Sequence, residues 1–157
     1  MMDKPILGWR EWVALPELKL AKIKAKIDTG ARSSALHAFA IEPYRKGGQR
    51  WLMFAIHPLQ NNCELSLECH APVKDRRIVM DSGGHKQRRY VIETQIMLGQ
   101  SLIRAEMTLT NRDSMRFRML LGRTAMDAHF IVDPGASYLQ GRPDAAAYQR
   151  LLEWDNR

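Results

Sequence analysis

Apolar and polar residues alternate along most of this chain with a period of two, which is typical of strands that bury one face. The clearest example is the segment 22–27, where three lysines alternate with Ile, Ala and Ile before a polar turn. Turn residues separate such segments about every ten residues, which predicts an all-β fold, either a small barrel or a sandwich. The other predicted strands are 8–14, 34–41, 51–56, 65–73, 76–80, 89–98, 102–110, 116–121 and 130–133.

Proline and glycine residues set the predicted ends of several strands. Pro43, followed by Gly47 and Gly48, indicates that the strand at 34–41 ends before the proline. The residues after that point then form a loop rich in basic side chains, namely Arg45, Lys46 and Arg50. The run Asp-Ser-Gly-Gly at 81–84 predicts the turn of a hairpin between two further strands.

The chain of 157 residues is long enough for one domain with a real core. We expect a single domain over 1–157, with its core at about 8–133. Helical structure is expected in two places: one or two turns within 124–129, and a terminal helix over 143–154 that begins at a proline.

The formal net charge of +7 favours acidic partners such as nucleic acid, anionic surfaces or acidic peptides. No segment resembles a signal peptide or is apolar enough to span a membrane, which favours a cytoplasmic location. In that compartment Cys63 and Cys69 would stay reduced, and two cysteines are too few for a disulfide scaffold.

The strand at 22–27 leads directly into Asp28, Thr29 and Gly30, and these residue types are suited to chemistry. The Asp28 carboxylate is either a reacting group or an acceptor for the backbone of its own turn. The Thr29 hydroxyl can donate and accept, and Gly30 leaves room for a ligand or another backbone. Taken alone, Asp-Thr-Gly favours the interpretation as a simple turn.

A second motif changes this interpretation, because the segment 119–123 reads Met-Leu-Leu-Gly-Arg after another apolar strand. An apolar strand into Asp-Thr-Gly-Ala, with two apolar residues and Gly-Arg downstream, resembles the retropepsin-type aspartic peptidases. The segments 8–13, 15–18 and 22–38 more closely resemble a bacterial retropepsin-like family that carries the name ATP-dependent zinc protease. That family is associated with an ATP-grasp ligase that adds glutamate tails to a ribosomal protein.

The resemblance implies a small closed β-barrel of retropepsin type, with a short helix after Leu-Leu-Gly-Arg and a C-terminal helix. It also implies an aspartic endopeptidase. Such enzymes hold two carboxylates about 3 Å apart, which share one proton and act as acid and base. Because the chain has one Asp-Thr-Gly, the second Asp28 would come from a symmetry mate in a homodimer. The predicted catalytic residues are Asp28, Thr29 and Gly30.

A substrate would lie against the catalytic turn and under a hairpin flap. We expect Ala31, Arg32 and Arg123 to bind substrate together with Gly83 and Gly84 in the candidate flap. Retropepsins commonly have an acid where this chain has Arg32, so Arg32 and Arg123 would repel unless Asp127 or a substrate carboxylate intervenes. This departure favours an acidic substrate, such as a glutamate-tailed protein.

A degenerate second copy of the motif occurs at Asp133, Pro134 and Gly135. A single chain could in principle pair Asp28 with Asp133, as bilobal aspartic peptidases do. However, the proline removes the hydroxyl and no second apolar-apolar-Gly element follows, so an ordinary turn is favoured.

The zinc and ATP of the family name have little support in the sequence. There is no His-Glu-x-x-His motif and no phosphate-binding Gly-rich loop ending in Lys-Ser/Thr. The spacing of the candidate zinc ligands matches no known structural site, so core cysteines and surface histidines are favoured and no cofactor is predicted. These candidates are Cys63, Cys69, His37, His57, His70 and His85.

The sequence therefore favours a homodimeric aspartic peptidase that acts on acidic or glutamate-tailed peptides. Two alternatives remain: a catalytically silent module that binds ribosomal RNA or acidic tails, and the zinc-dependent protease of the family name. The basic stretch 74–89 is either a solvated face or a surface for acidic peptide or RNA. The expected partners are a second copy of the chain, an acidic substrate and the ribosome, with no membrane.

Overall fold

The computed structural model describes residues 3–58, 65–80, 83–112, 116–143, 146 and 150. The strands within this part of the chain are β1 (Ile6–Leu7), β2 (Arg10–Leu15), β3 (Leu20–Ile27), β4 (Ser34–His37), β5 (Phe39–Lys46), β6 (Gln49–Ile56), β7 (Leu67–Pro72), β8 (Asp75–Met80), β9 (Lys86–Leu98), β10 (Ser101–Thr110), β11 (Met119–Leu121) and β12 (Ile131–Val132). A 3-10 helix covers Pro16–Leu18, and the helix α1 covers Arg123–Met126. The helix predicted over 143–154 falls almost entirely outside the described residues.

Seven strands form one sheet in the order β10-β4-β11-β3-β2-β9-β8, and β9 also pairs with β10. The 13 residues of β9 allow this, because its first half pairs with β8 and its second half pairs with β10. Six strands therefore close into a barrel, while β8 stays attached to the outside of β9. Aliphatic side chains fill the interior, among them Ile23, Leu36, Ile92 and Met107. The prediction of an all-β closed barrel with a short helix after Leu-Leu-Gly-Arg is confirmed.

A separate sheet of β5, β6 and β7 corrects two predictions. The strand expected over 34–41 is two strands, since Ala38 lies between β4 and β5 and Ala40 has a φ of 51° at a register shift. The proline at position 43 does not end a strand, and it pairs opposite Leu52. Because β5 is an edge strand, the missing N–H of Pro43 is not required for pairing with a strand on the other side. The basic residues expected in a loop instead lie in β5 and β6: Arg45, Lys46 and Arg50.

A buried carboxylate joins the two ends of the described fold. Glu11 in β2 is fully buried and accepts hydrogen bonds from the backbone N–H groups of Gly8 (2.7 Å), Leu139 (2.9 Å) and Gln140 (3.0 Å). Three donors satisfy a charge that would otherwise be costly to bury. The segment after β12 is thereby held against β2.

None of the helices in the described ranges has the length and apolar character needed to cross a membrane.

Candidate active site

The position of Asp28 follows from the pairing of two strands that are distant in sequence. Strand β11 runs parallel to β3, with Leu121 opposite Ile27. The Asp28 N–H then donates to the Leu121 carbonyl at 2.9 Å, one step beyond the end of β3. The Leu-Leu-Gly-Arg segment therefore fixes the point at which the Asp-Thr-Gly turn begins.

The Asp28 carboxylate is held by its own turn. Its Oδ1 accepts hydrogen bonds from the N–H groups of Gly30 (2.9 Å) and Ala31 (3.2 Å). The simple turn considered from the sequence is thus present. It does not exclude chemistry, because Oδ2 has no hydrogen bond to any described residue and Asp28 lines a cleft. One oxygen is oriented by the backbone and the other is left for a ligand.

Helix α1 holds the far side of the same turn. The Arg123 N–H donates to the Ala31 carbonyl at 2.8 Å, and Thr124 donates to the Arg32 carbonyl through its N–H (3.1 Å) and its hydroxyl (2.9 Å). Gly122 makes this close approach feasible, because a Cβ there would lie 2.5 Å from the Ser33 carbonyl oxygen. The turn is therefore clamped between β11 and α1.

The Arg123 side chain lies behind the turn and does not line the Asp28 cleft. Its Nη1 donates to the carbonyls of Thr29 (3.0 Å) and Gly30 (3.1 Å). These carbonyls orient the Arg123 guanidinium, and no ion pair between Arg123 and Asp127 occurs among the described residues. Direct contact of Arg123 with substrate stays a prediction.

The cleft in front of Asp28 has a volume of about 550 Å³, and basic residues outnumber acids among the described residues that line it. It is lined by Asp28, Gly30, Ala31, Arg32, Ser33, Ala35, Val79, Met80, Arg89, Thr108, Thr110, Arg112 and Leu120. Among these described residues Asp28 is the single acid, and Arg32, Arg89 and Arg112 are the bases. Sequence reasoning missed Arg112 and included Arg89 only as part of the basic stretch 74–89, because barrel closure brings both from distant segments to the Asp28 turn.

Arg89 is held in place within the cleft wall. Only 8% of its surface is exposed, and it donates to Gln87 Oε1 through Nε (3.1 Å) and to Thr108 Oγ1 through Nη1 (3.5 Å). These two acceptors orient the guanidinium within the cleft wall.

The hairpin of β8 and β9 forms one wall of the cleft, through Val79 and Met80 on one strand and Arg89 on the other. Gly83 and Gly84 lie in the exposed turn of this hairpin, and Gly84 has a φ of +83°, which favours glycine. The two glycines are not among the described residues that line the cleft, whereas Val79 and Met80 of β8 are. Contact of Gly83 and Gly84 with substrate stays a prediction. The first two residues of the predicted turn, 81 and 82, lie outside the described residues.

Ion pairs connect this hairpin to the barrel. Arg77 Nη1 in β8 lies 2.7 Å from Glu106 Oε2 in β10, and Lys74 Nζ lies 3.3 Å from Glu93 Oε2. Arg104 also bonds Glu93, through Nε at 2.8 Å. Hydrogen bonds from Arg104 and then Lys74 lower the pKa of Glu93 below its ordinary value. Part of the basic stretch 74–89 is thus paired with acids.

The buried histidines correct another prediction. His37 is fully buried and His57 is 7% exposed, so the expectation of surface histidines is wrong for both. His37 Nε2 lies 3.1 Å from His57 Nδ1, and Phe39 stacks on the His57 ring with centroids 4.3 Å apart. By contrast, His70 and His85 are exposed, as expected.

Cys69 is buried in the core, as expected, and burial raises the pKa of its thiol to about 12. Cys63 lies outside the described residues. Within the described part of the chain no three His, Cys, Asp or Glu side chains are grouped so that they could hold a metal ion.

The second Asp-x-Gly segment forms an ordinary turn away from the cleft. Asp133 Oδ1 accepts a hydrogen bond from Gly135 N–H at 3.0 Å, as Asp28 does from Gly30. Asp133 does not line the cleft, and its turn is preceded by β12 of a small two-stranded sheet. The interpretation of this segment as a turn is confirmed.

A closed barrel whose Asp-Thr-Gly turn is clamped by a Leu-Leu-Gly-Arg segment defines the class of retropepsin-like aspartic peptidase folds. The family described as "Retropepsin-like aspartic endopeptidase RimB" matches residues 6–143, and the chain belongs to this RimB-like family. The resemblance inferred from the sequence motifs is therefore confirmed.

Similar proteins extend this finding. The chain is 46% identical over 149 residues to a probable alpha-L-glutamate ligase of Shewanella pealeana, covering 95% of the chain and 32% of that protein. A probable alpha-L-glutamate ligase of Parasynechococcus marenigrum is 45% identical over 141 residues, or 90% of the chain and 30% of that protein. The chain thus spans about a third of the length of the curated relatives it matches.

A crystal structure of a Legionella pneumophila protein of unknown function (DUF785) has a similar fold. It superposes with a TM-score of 0.74 at 27% identity, covering 88% of this chain and 99% of that one.

Proposed function

We propose that this protein is an aspartic endopeptidase that acts as a homodimer on acidic peptides, including glutamate-tailed proteins. The observation that carries the proposal is the Asp28 turn. Its carboxylate has one oxygen fixed by two backbone N–H groups and one oxygen free of described partners, at the edge of a cleft. Membership of a family described as aspartic endopeptidases supports the same conclusion.

Hydrolysis by this site needs a second carboxylate. One carboxylate accepts a proton from water while the water oxygen attacks the peptide carbonyl carbon, and the other protonates the carbonyl oxygen. When the intermediate collapses, a proton goes to the leaving nitrogen. No second acid lines the cleft within the described residues, so we propose that the partner is Asp28 of another copy. The pair would titrate as a unit.

The surface beside Asp28 is suited to such a contact. Thr29 is exposed and shares a second cleft, of about 540 Å³, with Phe130 and Val132. The adjacent sheet of β1 and β12 leaves Ile6 and Ile131 about half exposed, at 47% and 54%. Burying these side chains around a two-fold axis would place the Thr29 hydroxyls, and with them the two turns, next to each other.

The charge of the cleft supports an acidic substrate. Arg32, Arg89 and Arg112 line it with only Asp28 as a described acid, and a dimer would present each arginine twice. Such a field raises the local concentration of an anionic chain and its association rate. The relatives named glutamate ligases have a segment similar to this chain, which supports a glutamate-tailed protein as the substrate.

The central test replaces Asp28 with Asn and compares it with Asp133→Asn. Asn keeps an oxygen that can accept the turn hydrogen bonds but cannot cycle a proton, so Asp28→Asn should lower turnover by about two orders of magnitude or more. Asp133→Asn alters a matching turn outside the cleft and should leave turnover unchanged. Equal cleavage by the parent and Asp28→Asn would show that Asp28 is not catalytic.

The substrate and assembly need separate measurements. A glutamate-tailed peptide should be cleaved faster than a neutral peptide of equal length, and the preference should shrink as salt rises. Sedimentation should detect a dimer at concentrations where cleavage occurs. A monomer at all active concentrations would contradict the shared dyad.

A second candidate function is binding of glutamate-tailed protein without cleavage. The observation that favours it is that the relatives are named as ligases and not as peptidases. Tight binding of the tailed peptide by both the parent and Asp28→Asn, with no product from either, would support this alternative.

A further inference from the structure

The outer face of β2 and β3 carries a cluster of cations and aromatic rings that is separate from the cleft. Trp12 and Lys24 are opposite each other in this antiparallel pair, as are Arg10 and Lys26. Lys22 lies two residues before Lys24 on the same strand, so its side chain points to the same face. The segment after β12 adds two more side chains at the edge of the pair. We define the β2–β3 outer face as Arg10, Trp12, Lys22, Lys24, Lys26, Tyr138 and Arg142.

The rings of this face are surrounded by cations. Lys22 Nζ and Lys24 Nζ lie 5.4 and 5.1 Å from the centroid of the Trp12 ring, and Arg142 Cζ lies 5.7 Å from it. Tyr138 stacks beside Trp12, with ring centroids 5.8 Å apart and planes inclined by 27°. Both rings are partly exposed. The face therefore combines two partly exposed aromatic rings with cations that lie over them.

The described part of the chain supplies no acid that pairs with the cations of this face. Within the described residues none of its five basic side chains makes an ion pair with Asp or Glu. On the hairpin side of the barrel, by contrast, Lys74, Arg77 and Arg104 all do. Like charges held close together repel one another, so binding of an anionic ligand would reduce the electrostatic repulsion among these basic side chains.

We propose that the β2–β3 outer face binds single-stranded nucleic acid. The lysines at 22, 24 and 26 recur along one strand every ~6.6 Å and would contact successive phosphates. A base would stack on Trp12 and Tyr138, as bases stack on aromatic platforms in proteins that bind single strands. An acidic peptide would satisfy the cations but would leave the rings without a role.

This face is independent of the proposed peptidase activity. None of its seven residues lines the cleft of Asp28, so either activity can be absent while the other remains. Part of the net charge of +7 lies on this face and not on the arginines of the cleft, and nucleic-acid binding would account for it.

The test measures fluorescence anisotropy of a labelled single-stranded RNA of about ten nucleotides with the full chain. The variant Lys22→Glu with Lys24→Glu should weaken binding by about tenfold or more. The matched control, Lys86→Glu with Arg88→Glu, makes the same change in net charge on exposed residues of β9 and should weaken binding by about twofold or less. The affinity of the parent should fall steeply with salt, by about 0.7 log units per phosphate for each log unit of salt.

A second pair of variants tests the rings. Trp12→Ala should weaken binding by about tenfold, from the loss of base stacking. Trp51→Ala is the control, because Trp51 in β6 also lies under a cation, with Lys46 Nζ 4.6 Å from its ring centroid. It should bind RNA like the parent. Circular dichroism of each variant checks that the barrel is intact.

Equal losses in the β2–β3 variant and the β9 control would overturn the proposal, because they would mean that net charge alone attracts RNA. Binding that is insensitive to both Trp12→Ala and the lysine variant would also overturn it. So would a polyglutamate peptide that displaces the RNA at a lower concentration than unlabelled RNA does, since the face would then prefer acidic peptide. Equal binding of single-stranded DNA supports the proposal, because phosphates and bases are the features recognised.

Discussion

Gly122 is the position where a single added methyl group should disturb the Asp28 turn without changing any of its functional groups. Its backbone has φ −95° and ψ 177°, an extended conformation that alanine adopts without strain. A Cβ at this position would lie 2.5 Å from the Ser33 carbonyl oxygen, 2.6 Å from its carbon and 3.0 Å from the Ala31 carbonyl oxygen. These atoms are backbone, so no flexible side chain can move aside.

The size of the effect follows from those distances. The Ser33 carbonyl must retreat by about 0.5 Å to reach the shortest contact that real Cβ atoms make. Overpacking of this kind costs about 1–3 kcal/mol, and each kcal/mol lowers the Tm of a chain this long by about 2–4 °C. Because Ala31 and Ser33 are part of the segment clamped by α1, the shift also moves Asp28, and displacements of this order lower turnover by about tenfold or more.

The assay compares Gly122→Ala with Gly135→Ala, by thermal unfolding and by cleavage of a glutamate-tailed peptide. Gly135 ends the matching turn at Asp133, and a Cβ there meets its nearest atom, Asp133 Oδ1, at 3.5 Å, an ordinary contact. The control should therefore melt and cleave like the parent. If the two variants have the same Tm and the same turnover, the close approach of Gly122 does not position the turn.

Two further predictions concern titratable groups. Burial raises the pKa of the Cys69 thiol to about 12. In a Cys63→Ser background, a thiol reagent at mildly alkaline pH should therefore react far more slowly with the folded protein than with the protein in denaturant. Equal rates would show that Cys69 is accessible. The pKa of Glu93 is lowered from 4.5, so its contribution to stability is complete above about pH 4.5 and is lost as the pH falls through the lower pKa of the folded state. The difference in Tm between the parent and Glu93→Gln should therefore be largest at neutral pH and shrink in acid, and a constant difference would contradict the ion pairs with Arg104 and Lys74.

The features that the sequence predicted are those encoded over short distances. Strand β3, the turn at Asp28 and the helix after Gly122 each carry a local pattern, and the hairpin of β8 and β9 has its own turn residues. The prediction that the strand ends before Pro43 was wrong because the effect of a proline depends on whether its strand lies at the edge of a sheet. The local sequence does not encode that position.

The missed site residues depend on long-range closure of the barrel. Arg112 follows β10, and it reaches the cleft of Asp28 because β10 pairs with β4 on one side and β9 on the other. His37 and His57 carry no sequence signal for burial, and their contacts with each other and with Phe39 exist only once two sheets meet. Such residues can be identified only from the tertiary structure.

The hydrogen bonds of Glu11 have a consequence for how this fold can be joined to other proteins. Because Gly8 and Gln140 donate to the same carboxylate, the chain enters and leaves the barrel at nearly one point. A unit with adjacent entry and exit can be inserted into a loop of a host protein, or attached at either end, without stretching a linker across its surface. If the inserted segment ended at residue 133, it would lack two of the three donors, and the buried Glu11 carboxylate would be left under-satisfied. A segment that continues through residue 141 would keep all three hydrogen bonds to Glu11.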